Sequence, residues 1–480
     1  MDSTGLTRRR VIGSLGAAGL LGLAGCGGDG GGDSGDGGSG GEGGDDGSGG
    51  DGGTTAGGAS GTVRIGSFNP HSGALAYYGN HTLWSMYAGL KYKGGDATEV
   101  PGPDAGTGNY TVEVGDVTYE IVVGDSEGSS STAQSRAEEF VNDFDVDLLL
   151  GGTSSAAART VANNVASPQE VPYMVAPAAA VSITGDSDTC GPNIFRAAEN
   201  VAMDALSGGD YVANETDIES VWIYYADYSF GQDVNSNYAR VLQENGVTID
   251  GQTALPQGYS EDWEGQLDKA MNAGSDGIIT GFTVATLPAL FSVFLNNTDK
   301  YDYSAVGGLT TNAGMTALGS TVQSALGDLT QENIEQAGLG PFTSRYHWNQ
   351  YDNEVNSAFV DFYSSQYGIY PDLFSSGGFV STAAIHEAVQ AGGSTSADDI
   401  RSNLHGLTVS ETPKGQDAYT FQEYDNQARS PMTVAPLVPT GDDVADNWGD
   451  AAVQPGAPVQ TYGKDETTPA ADSAAIDCSL

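Results

Sequence analysis

The sequence Val146-Asp-Leu-Leu-Leu-Gly-Gly-Thr-Ser-Ser155 joins an apolar run to a turn rich in glycine and hydroxyl groups. A short, strongly apolar run such as Val146–Leu150, in which Asp147 is the one polar residue, is typical of a buried strand in a parallel sheet. The glycines allow close backbone approach, and the hydroxyls of Thr153, Ser154 and Ser155 can cap a following helix. Free N–H groups at a helix start attract anions. The stretch therefore predicts a strand, a turn suited to a carboxylate, and a helix.

The same alternation of short apolar runs with amphipathic segments continues on both sides of this stretch, from Thr62 onward. The first set predicts strands at Val63–Phe68, Tyr119–Gly124, Val146–Leu150 and Pro172–Ala176, with helices near Leu75–Leu90, Thr132–Asn142 and Ser154–Ala166. The second set predicts strands at Ser220–Tyr225, Val247–Leu255, Asp276–Gly281 and Tyr303–Gly308, with helices near Gly231–Asn245, Glu261–Asn272 and Val284–Asn296. Two successive sets predict an α/β protein with two Rossmann-like lobes, each built on a parallel sheet.

Helical patterns return late in the chain and bear on how the lobes connect. They lie at Glu354–Gly368, Ser376–Ala391 and Ala397–Leu404, and precede a strand-rich stretch over Tyr419–Val438. If these segments complete the first lobe, the chain crosses between the lobes three times and forms a three-segment hinge. The expected division is 62–201 with 341–433 for lobe 1, 202–340 with 434–463 for lobe 2, and 464–480 for a C-terminal tail. A ligand-binding cleft is then expected between the carboxyl ends of the two sheets.

The N-terminal residues have the three parts of an export signal. The uncharged run Val11–Ala24 is shorter than the roughly 20 apolar residues of a membrane-spanning helix. A positively charged start, a short apolar centre and a small-residue end predict a signal peptide over residues 1–25. The pair Arg8-Arg9 resembles the twin-arginine export consensus. The Leu-Ala-Gly-Cys sequence ending at Cys26 resembles a lipobox, at which cleavage leaves a lipid on the cysteine. The alternative is a basic start before a buried helix.

Residues 26–61 consist almost entirely of Gly, Asp and Ser. This composition has too few apolar side chains to offset the entropy lost on folding, so the segment is predicted to be a disordered tether. A lipid on Cys26 would then hold the folded part at the extracellular face of the cell membrane without spanning it.

The acidic composition restricts the partners and the solvent of this protein. It has 63 acidic residues against 17 basic ones, for a formal net charge of −46. Repulsion on this scale destabilises a compact state at low ionic strength, whereas the Debye length of roughly 3 Å at 1 M salt screens it. The composition therefore resembles that of proteins from extreme halophiles. Nucleic acid and anionic membrane surfaces are excluded as favourable partners.

The remaining cysteines and the histidines argue against metal or catalytic chemistry. With Cys26 lipidated, Cys190 and Cys478 form an even pair, which in an exported protein indicates a possible disulfide. Two cysteines and five scattered histidines make a metal site improbable, and no cofactor is expected. The sequence has no Gly-x-Ser-x-Gly elbow and no His-Glu-x-x-His motif. We therefore expect a protein that is not an enzyme and has no catalytic residues.

Several fragments, taken in order, resemble the branched-chain amino-acid-binding proteins of ABC importers, which have the type I periplasmic-binding-protein fold. They are Arg64-Ile-Gly-Ser-Phe-Asn-Pro-His-Ser-Gly73, Ala76-Tyr-Tyr-Gly79, Gly151-Gly-Thr-Ser-Ser155, Val171-Pro-Tyr-Met-Val-Ala-Pro-Ala178, Tyr225-Ala-Asp-Tyr-Ser-Phe-Gly231 and Phe359-Val-Asp-Phe-Tyr-Ser-Ser-Gln-Tyr-Gly368. The resemblance extends over Thr62–Gly463. It implies a monomeric receptor that closes on a small molecule and delivers it to the permease subunits of a transporter. A sensor of the same fold, coupled to a signalling partner, is the alternative.

The resemblance also implies a set of ligand-binding positions. They are Tyr78, Thr153, Ser154, Ser155, Ala178, Ala180, Phe230, Phe282 and Leu309. In the family, the serine turn and the loop after the next strand grip the ligand's α-carboxylate, and Ala180 here occupies a threonine position. The aromatic residues are expected to close over the ligand. The alternatives are a simple helix cap for Ser154 or Ser155 and core packing for Phe230 and Phe282.

Leu309 marks the main departure from the family pattern. Amino-acid-binding members have an acidic residue at this position, which pairs with the ligand's ammonium group. A buried ammonium without a counter-charge costs several kcal/mol. Asp227 or the neutral oxygens of the stretch 310–312 could replace it, and Ser182 could supply the hydroxyl missing at Ala180. The expected ligand is a small amino acid or a related acid or amide, with hydroxy, keto and aromatic acids included.

Transfer from molar to millimolar KCl is expected to unfold the folded part of the chain, because the repulsion among its acidic residues is then unscreened. Circular dichroism melts at both salt concentrations measure this. Superimposable melting curves at the two concentrations would contradict the halophilic interpretation.

Overall fold

Two separate sheets form the framework of the protein in the computed structural model, which describes residues 58–96, 100–103, 106–308, 310–327 and 329–480. The predicted signal peptide, Cys26 and most of the predicted tether lie outside the described residues. The strands are β1 (Gly61–Asn69), β2 (Gly108–Val114), β3 (Val117–Asp125), β4 (Leu148–Gly151), β5 (Tyr173–Val175), β6 (Ile194–Arg196), β7 (Ser220–Ala226), β8 (Thr248–Leu255), β9 (Gly277–Gly281), β10 (Ser304–Gly308), β11 (Leu339–Ser344), β12 (Thr408–Thr412), β13 (Gly415–Phe421), β14 (Ala428–Arg429), β15 (Met432–Ala435), β16 (Leu437–Pro439), β17 (Val453–Pro455) and β18 (Gln460–Tyr462).

Helices cover the faces of both sheets. They are α1 (Ala76–Tyr92), α2 (Ser130–Asp143), α3 (Ser155–Val161), α4 (Ser182–Gly185), α5 (Val201–Asp204), α6 (Asp210–Glu215), α7 (Ser229–Glu244), α8 (Trp263–Ala273), α9 (Leu287–Leu295), α10 (Asn312–Leu326), α11 (Gln331–Gln336), α12 (Glu354–Tyr367), α13 (Ser375–Gly392) and α14 (Ala397–Leu404). Short 3₁₀ or π segments lie at Gly73–Leu75, Ala162–Ala166, Ala205–Gly209 and Ala445–Trp448.

The first sheet has the strand order β2-β3-β1-β4-β5-β6. All its neighbouring strands are parallel except β2, which pairs antiparallel with β3. Helices α1 and α13 pack on one face through residues such as Leu83 and Phe379, and α2 and α3 cover the other through Phe140 and Val161. The late helix α13 therefore completes the core of the first sheet, which agrees with a chain that returns to its first lobe.

Close packing of α1 against α13 depends on a glycine. A Cβ atom at Gly89 would lie 2.3 Å from the carbonyl oxygen of Phe379, so any larger residue would push the helices apart. Thr382 in α13 donates a hydrogen bond to the carbonyl of Met86 in α1 at 2.7 Å across the same contact.

The second sheet has the order β18-β15-β11-β10-β9-β7-β8. The strands from β8 to β11 are parallel, whereas β15 and β18 extend the sheet antiparallel. The boundaries placed after residues 340 and 433 therefore fall inside β11 and β15, which pair with each other, and the boundary after 201 falls inside α5. The mixed α/β fold with two parallel-dominated sheets is confirmed.

The predicted strands and helices agree with the structure to within a few residues, but some elements were not predicted. The strand β2 lies at the edge of the first sheet, and most of its residues are exposed or only partly buried. The strand β11 contains Pro341, a residue that normally indicates the end of a strand, and its pairing with β10 is irregular between Ala305 and Gly307. The helix α10 is built largely from small and hydroxyl residues, which obscures its periodicity.

The C-terminal tail packs against the first lobe's loops. Cys190 and Cys478 form a disulfide in the structure, with Cα atoms 6.1 Å apart. Beside it, the backbone N–H of Asp477 donates to Gly185 at 2.7 Å, and its side chain accepts from Ser187 at 2.7 Å. The tail is therefore tied to the body by covalent and hydrogen bonds together.

Replacing Cys478 with serine is expected to lower the free energy of unfolding by about 2–4 kcal/mol, because a long loop in the unfolded chain is no longer closed. Urea titration in molar salt measures the loss, with Cys26→Ser as the control for removing a cysteine outside the pair. Full alkylation of Cys190 and Cys478 in the unreduced, denatured protein would contradict the pairing.

Candidate functional site

A cavity of about 340 Å³ lies at the carboxyl ends of the parallel strands of both sheets. Its walls include residues that follow β1, β3, β4 and β5 in the first sheet and β7 to β11 in the second. Of the predicted positions, those that line it are Tyr78, Thr153, Ser154, Ser155, Phe230 and Phe282. Leu309 lies outside the described residues, between Gly308 and Thr310, which both line the cavity.

The turn after β4 takes its shape from two glycines with positive φ. A Cβ atom on Gly152 would lie 2.3 Å from the Tyr173 hydroxyl, and one on Gly151 would lie 2.7 Å from the carbonyl oxygen of Phe68. Gly151 and Gly152 have φ of +130° and +89°, which side-chain-bearing residues rarely adopt. The close approach inferred from the sequence is therefore a real requirement of this turn.

The three hydroxyl residues of the turn have different roles. Thr153 donates to the Asn69 side chain at 3.0 Å, and the Ser155 hydroxyl accepts from the backbone N–H of Ala180 at 3.2 Å. Ser154 is at the N-cap position of α3, but its hydroxyl makes no capping bond. Within the described part of the chain, the Ser154 hydroxyl has no hydrogen-bond partner. Ser154 is therefore not a simple helix cap, and its hydroxyl is available to a ligand.

The loop after β5 presents a different alanine from those predicted. Ala179 lines the cavity, whereas Ala178 and Ala180 do not. The carbonyl groups of Ala178 and Ala180 both accept hydrogen bonds from the buried Arg196 guanidinium, which turns them away from the cavity. Ser182, considered as a substitute hydroxyl, is not in the lining; its backbone N–H lies 3.5 Å from an Asp233 carboxylate oxygen.

Aromatic rings form the apolar part of the wall. Tyr78 contacts Phe374 edge-to-face with the ring centroids 5.0 Å apart, and both line the cavity. Phe282 lines it too while packing edge-to-face on the core residue Trp263 at 5.7 Å, so packing against the core and a place in the cavity wall are compatible for this residue. Burial raises the pKa of Tyr78 to about 12, so its hydroxyl stays protonated near neutral pH. Tyr228 supplies a further hydroxyl that the sequence analysis did not predict.

The cavity wall also contains an ion pair that the sequence did not predict. Asp204, in α5, and Arg345, directly after β11, both line the cavity. Arg345 donates from Nε to the two Asp204 carboxylate oxygens at 2.9 and 3.2 Å, and from Nη2 to one of them. The Arg345 guanidinium also lies 6.0 Å from the Phe374 ring centre. These are the charged side chains in the described lining, and they balance each other, so this wall has no net charge. Recognising β11 as a parallel strand would have drawn attention to Arg345.

Asp227, the acidic residue considered for an ammonium group, is not in the cavity lining. Its side chain accepts from Gln232 at 3.4 Å. In the stretch 310–312, Thr310 and Thr311 line the cavity, whereas Asn312 does not. The described lining therefore contains one carboxylate, and Arg345 already occupies it.

A fully buried carboxylate bridges the two sides next to the cavity. Asp372 precedes α13, on the side of the first sheet, and accepts from the Tyr77 hydroxyl of α1 at 2.6 Å. The same oxygen accepts from the backbone N–H of Asn312, at the start of α10 on the second sheet, at 2.9 Å. The Asn312 side chain donates to the Tyr370 carbonyl at 3.3 Å. The Nδ1 atom of His81 lies 3.7 Å from the other Asp372 oxygen, and burial lowers the pKa of this histidine. Asp372 thus links α1 to α10.

Among the residues that the structure describes, no group of three or more histidine, cysteine, aspartate or glutamate side chains is placed to hold a metal ion. No helix among these residues has the length and apolar character needed to cross a membrane.

Comparison with known proteins places this geometry in a family. The model of the periplasmic binding protein family matches residues 62–442. No functionally curated protein matches the sequence at a significant level.

Solved structures share the fold at low sequence identity. A solute-binding protein of an ABC transporter from Rhodopseudomonas palustris BisB5, in complex with 3,4-dihydroxybenzoic acid, has a TM-score of 0.65 and 18% identity, covering 84% of this chain and 98% of that one. An ABC-type branched-chain amino acid transporter protein from R. palustris CGA009 has a TM-score of 0.61 and 21% identity, with coverages of 84% and 97%. A leucine-binding protein from Thermotoga maritima MSB8 has a TM-score of 0.62 and 16% identity, with coverages of 84% and 99%.

The family match covers most of the chain, and the two-sheet architecture agrees with it. The resemblance inferred from the sequence fragments is therefore confirmed at the level of family and fold. The chain belongs to the periplasmic binding protein family and has its type I fold.

Proposed function

We propose that this protein is the lipid-anchored, extracellular solute-binding protein of an ABC importer. It captures a small amino acid or a related carboxylate or amide and delivers it to the permease, and it performs no chemistry on the ligand. The observation that supports this most is the cavity itself, since loops at the carboxyl ends of both sheets contribute to one space of about 340 Å³. A ligand in that space contacts both lobes and so favours the state in which they are together.

The turn after β4 is the proposed seat of the ligand's carboxylate. The Ser154 hydroxyl and the backbone N–H groups of Ser154 and Ala179 have no partners among the described residues, and both residues line the cavity. Donors left unpaired in a closed site favour a ligand with acceptor oxygens. The ligands named for similar structures, a dihydroxybenzoic acid and leucine, are both small carboxylates.

The export route and the anchor follow from the sequence. The twin-arginine pair and the lipobox ending at Cys26 support export followed by lipidation, and the tether over 26–61 gives the receptor reach toward its permease. A monomer is proposed because closure of two lobes within one chain encloses the ligand without a second subunit.

Closure is proposed to depend on Asp372. Its carboxylate accepts from groups on both sides of the cavity, and burial raises the pKa of Tyr77 well above its usual range, so this hydroxyl remains a donor. Hydrogen bonds to a buried charged group contribute about 1.5–3 kcal/mol each. The contact between Asp372 and α10 therefore favours the closed arrangement.

Ligand capture is tested on protein purified in molar KCl. We expect mass spectrometry of the denatured protein to detect a released small carboxylate or amide, and titration calorimetry with that compound, or with leucine and 4-hydroxybenzoate, to show binding. Ser154→Ala is expected to weaken binding about 10-fold by removing one hydrogen bond. The matched control is Ser365→Ala, on the exposed surface of α12.

Two results would count against this function. One is the absence of any released compound together with no binding of the named probes. The other is an equal effect of Ser154→Ala and Ser365→Ala on affinity, which would exclude the turn after β4 as the seat.

Asp372→Asn is expected to weaken ligand binding about 10-fold and to increase the radius of gyration of the ligand-free protein, because the bridge to α10 loses its charge. Calorimetry and small-angle X-ray scattering measure the two effects, with the exposed Asp361→Asn on α12 as control. A lower melting temperature with unchanged scattering and affinity would show that Asp372 serves folding alone.

A further inference from the structure

One part of the cavity wall contains hydrogen-bond donors that the protein itself does not use. Arg345 directs Nε and Nη2 at Asp204, whereas its Nη1 group donates to no residue in the described ranges. A guanidinium has five N–H donors, so those on Nη1 remain available. The residue is 5% exposed and lines the cavity, which means that water reaches it poorly.

Tyr238 is a second unused donor near the same ion pair. It projects from α7, is 2% exposed, and lines the cavity. Its hydroxyl is buried without a hydrogen-bond partner among the described residues. Leaving a buried hydroxyl unpaired is unfavourable. Because Tyr238 lines the cavity, a ligand atom that reaches this hydroxyl would supply the missing partner.

Two polar side chains beside this ion pair, Thr343 and Asp204, already have partners. The Thr343 hydroxyl pairs with that of Ser207 and lies 3.4 Å from the Thr433 carbonyl. The carboxylate of Asp204 accepts from Arg345 on both oxygens. The Nη1 group of Arg345 can only donate, so its ligand partner is an acceptor.

The charges of Asp204 and Arg345 determine whether a charged or a neutral acceptor is favoured beside them. Asp204 neutralises Arg345, and both charged groups are buried. A second carboxylate placed here would bring an uncompensated negative charge into a closed space, which is costly. An ammonium group would meet a carboxylate already bonded to Arg345. A neutral oxygen atom can accept from Arg345 Nη1 and Tyr238 without adding a net charge to the site.

We propose that Arg345 Nη1 and the Tyr238 hydroxyl form a subsite for a neutral oxygen of the ligand, such as a hydroxyl, an amide carbonyl or a keto group. This rests on the proposed function, in which the turn after β4 takes the carboxylate. The ligand class is thereby narrowed to small carboxylic acids with a second, uncharged oxygen group. Plain aliphatic amino acids and dicarboxylates fit the subsite less well. Arg345 and Tyr238 are then residues that determine specificity.

The test uses two pairs of probes that differ by a neutral oxygen group: 4-hydroxybenzoate with benzoate, and glutamine with norvaline. Calorimetry in molar KCl measures each affinity on the wild-type protein and on Tyr238→Phe, which removes only the hydroxyl. The control is Tyr211→Phe, at a partly exposed tyrosine of α6 outside the cavity lining. Arg345→Lys keeps the charge beside Asp204 and removes the fork of donors.

In at least one pair, we expect the wild type to bind the oxygenated member about 10-fold or more tightly than its partner. Tyr238→Phe and Arg345→Lys are expected to reduce this preference at least 5-fold. Tyr211→Phe is expected to change neither the preference nor the two affinities.

Equal affinities within both pairs, or a preference that survives both substitutions, would overturn the subsite while leaving the proposed function in place. If none of the four probes binds and no released compound with a neutral oxygen beside its carboxylate is found, the subsite fails as well. Failure of the proposed function itself is distinguishable, because then no small carboxylate or amide binds or is released at all.

Discussion

Parallel strands end at a common edge of their sheet, and this constraint assembles the whole binding cavity. Loops separated by more than 190 residues meet because the residues that follow β4, β9 and β11 all line the same cavity. The glycines after β4 allow that strand's turn to approach its neighbours, and the return of α13 completes the first sheet's core. The chain needs no special motif to converge there. Its topology alone brings distant polar and aromatic residues together.

Burial of basic residues is a second theme, and an unusual one for so acidic a chain. Arg196, Arg345 and Lys414 are buried where segments of the chain pass between the two sheets. Lys414 pairs with the buried Glu199, and Arg345 pairs with Asp204. Removing one member of such a pair leaves an uncompensated buried charge, which costs several kcal/mol. These ion pairs therefore fix the positions of the segments around the cavity. Most of the other acidic side chains remain in contact with solvent.

The sequence predicted the parallel strands of both sheets well because a buried strand has a recognisable local pattern of apolar residues. Val146–Leu150 is apolar except at Asp147, and the glycines and hydroxyls after it have specific local consequences. The strand β11 was missed because Gly340 and Pro341 normally interrupt strands. Arg345 was missed with it, since its position in the wall follows only from knowing where β11 ends.

Other parts of the site depend on contacts that no local pattern contains. Ala179 lines the cavity in place of the predicted Ala178 and Ala180 because the carbonyl groups of those two residues accept hydrogen bonds from Arg196. These hydrogen bonds join residues that are distant in the local sequence pattern. The pairing of Asp204 with Arg345 spans 141 residues of sequence. Single-sequence reasoning identifies elements and short motifs, whereas partners of this kind become visible only when the sheets are assembled.

The claim that one small carboxylate is held by residues of both sheets can be tested by experimental electron density for the protein purified in molar salt, either without added ligand or with the compound released from it. We expect a small carboxylate in the cavity, in contact with the turn after β4 on one side and with residues that follow β7 to β11 on the other. Density for the compound outside this cavity, or contact with one sheet only, would contradict it.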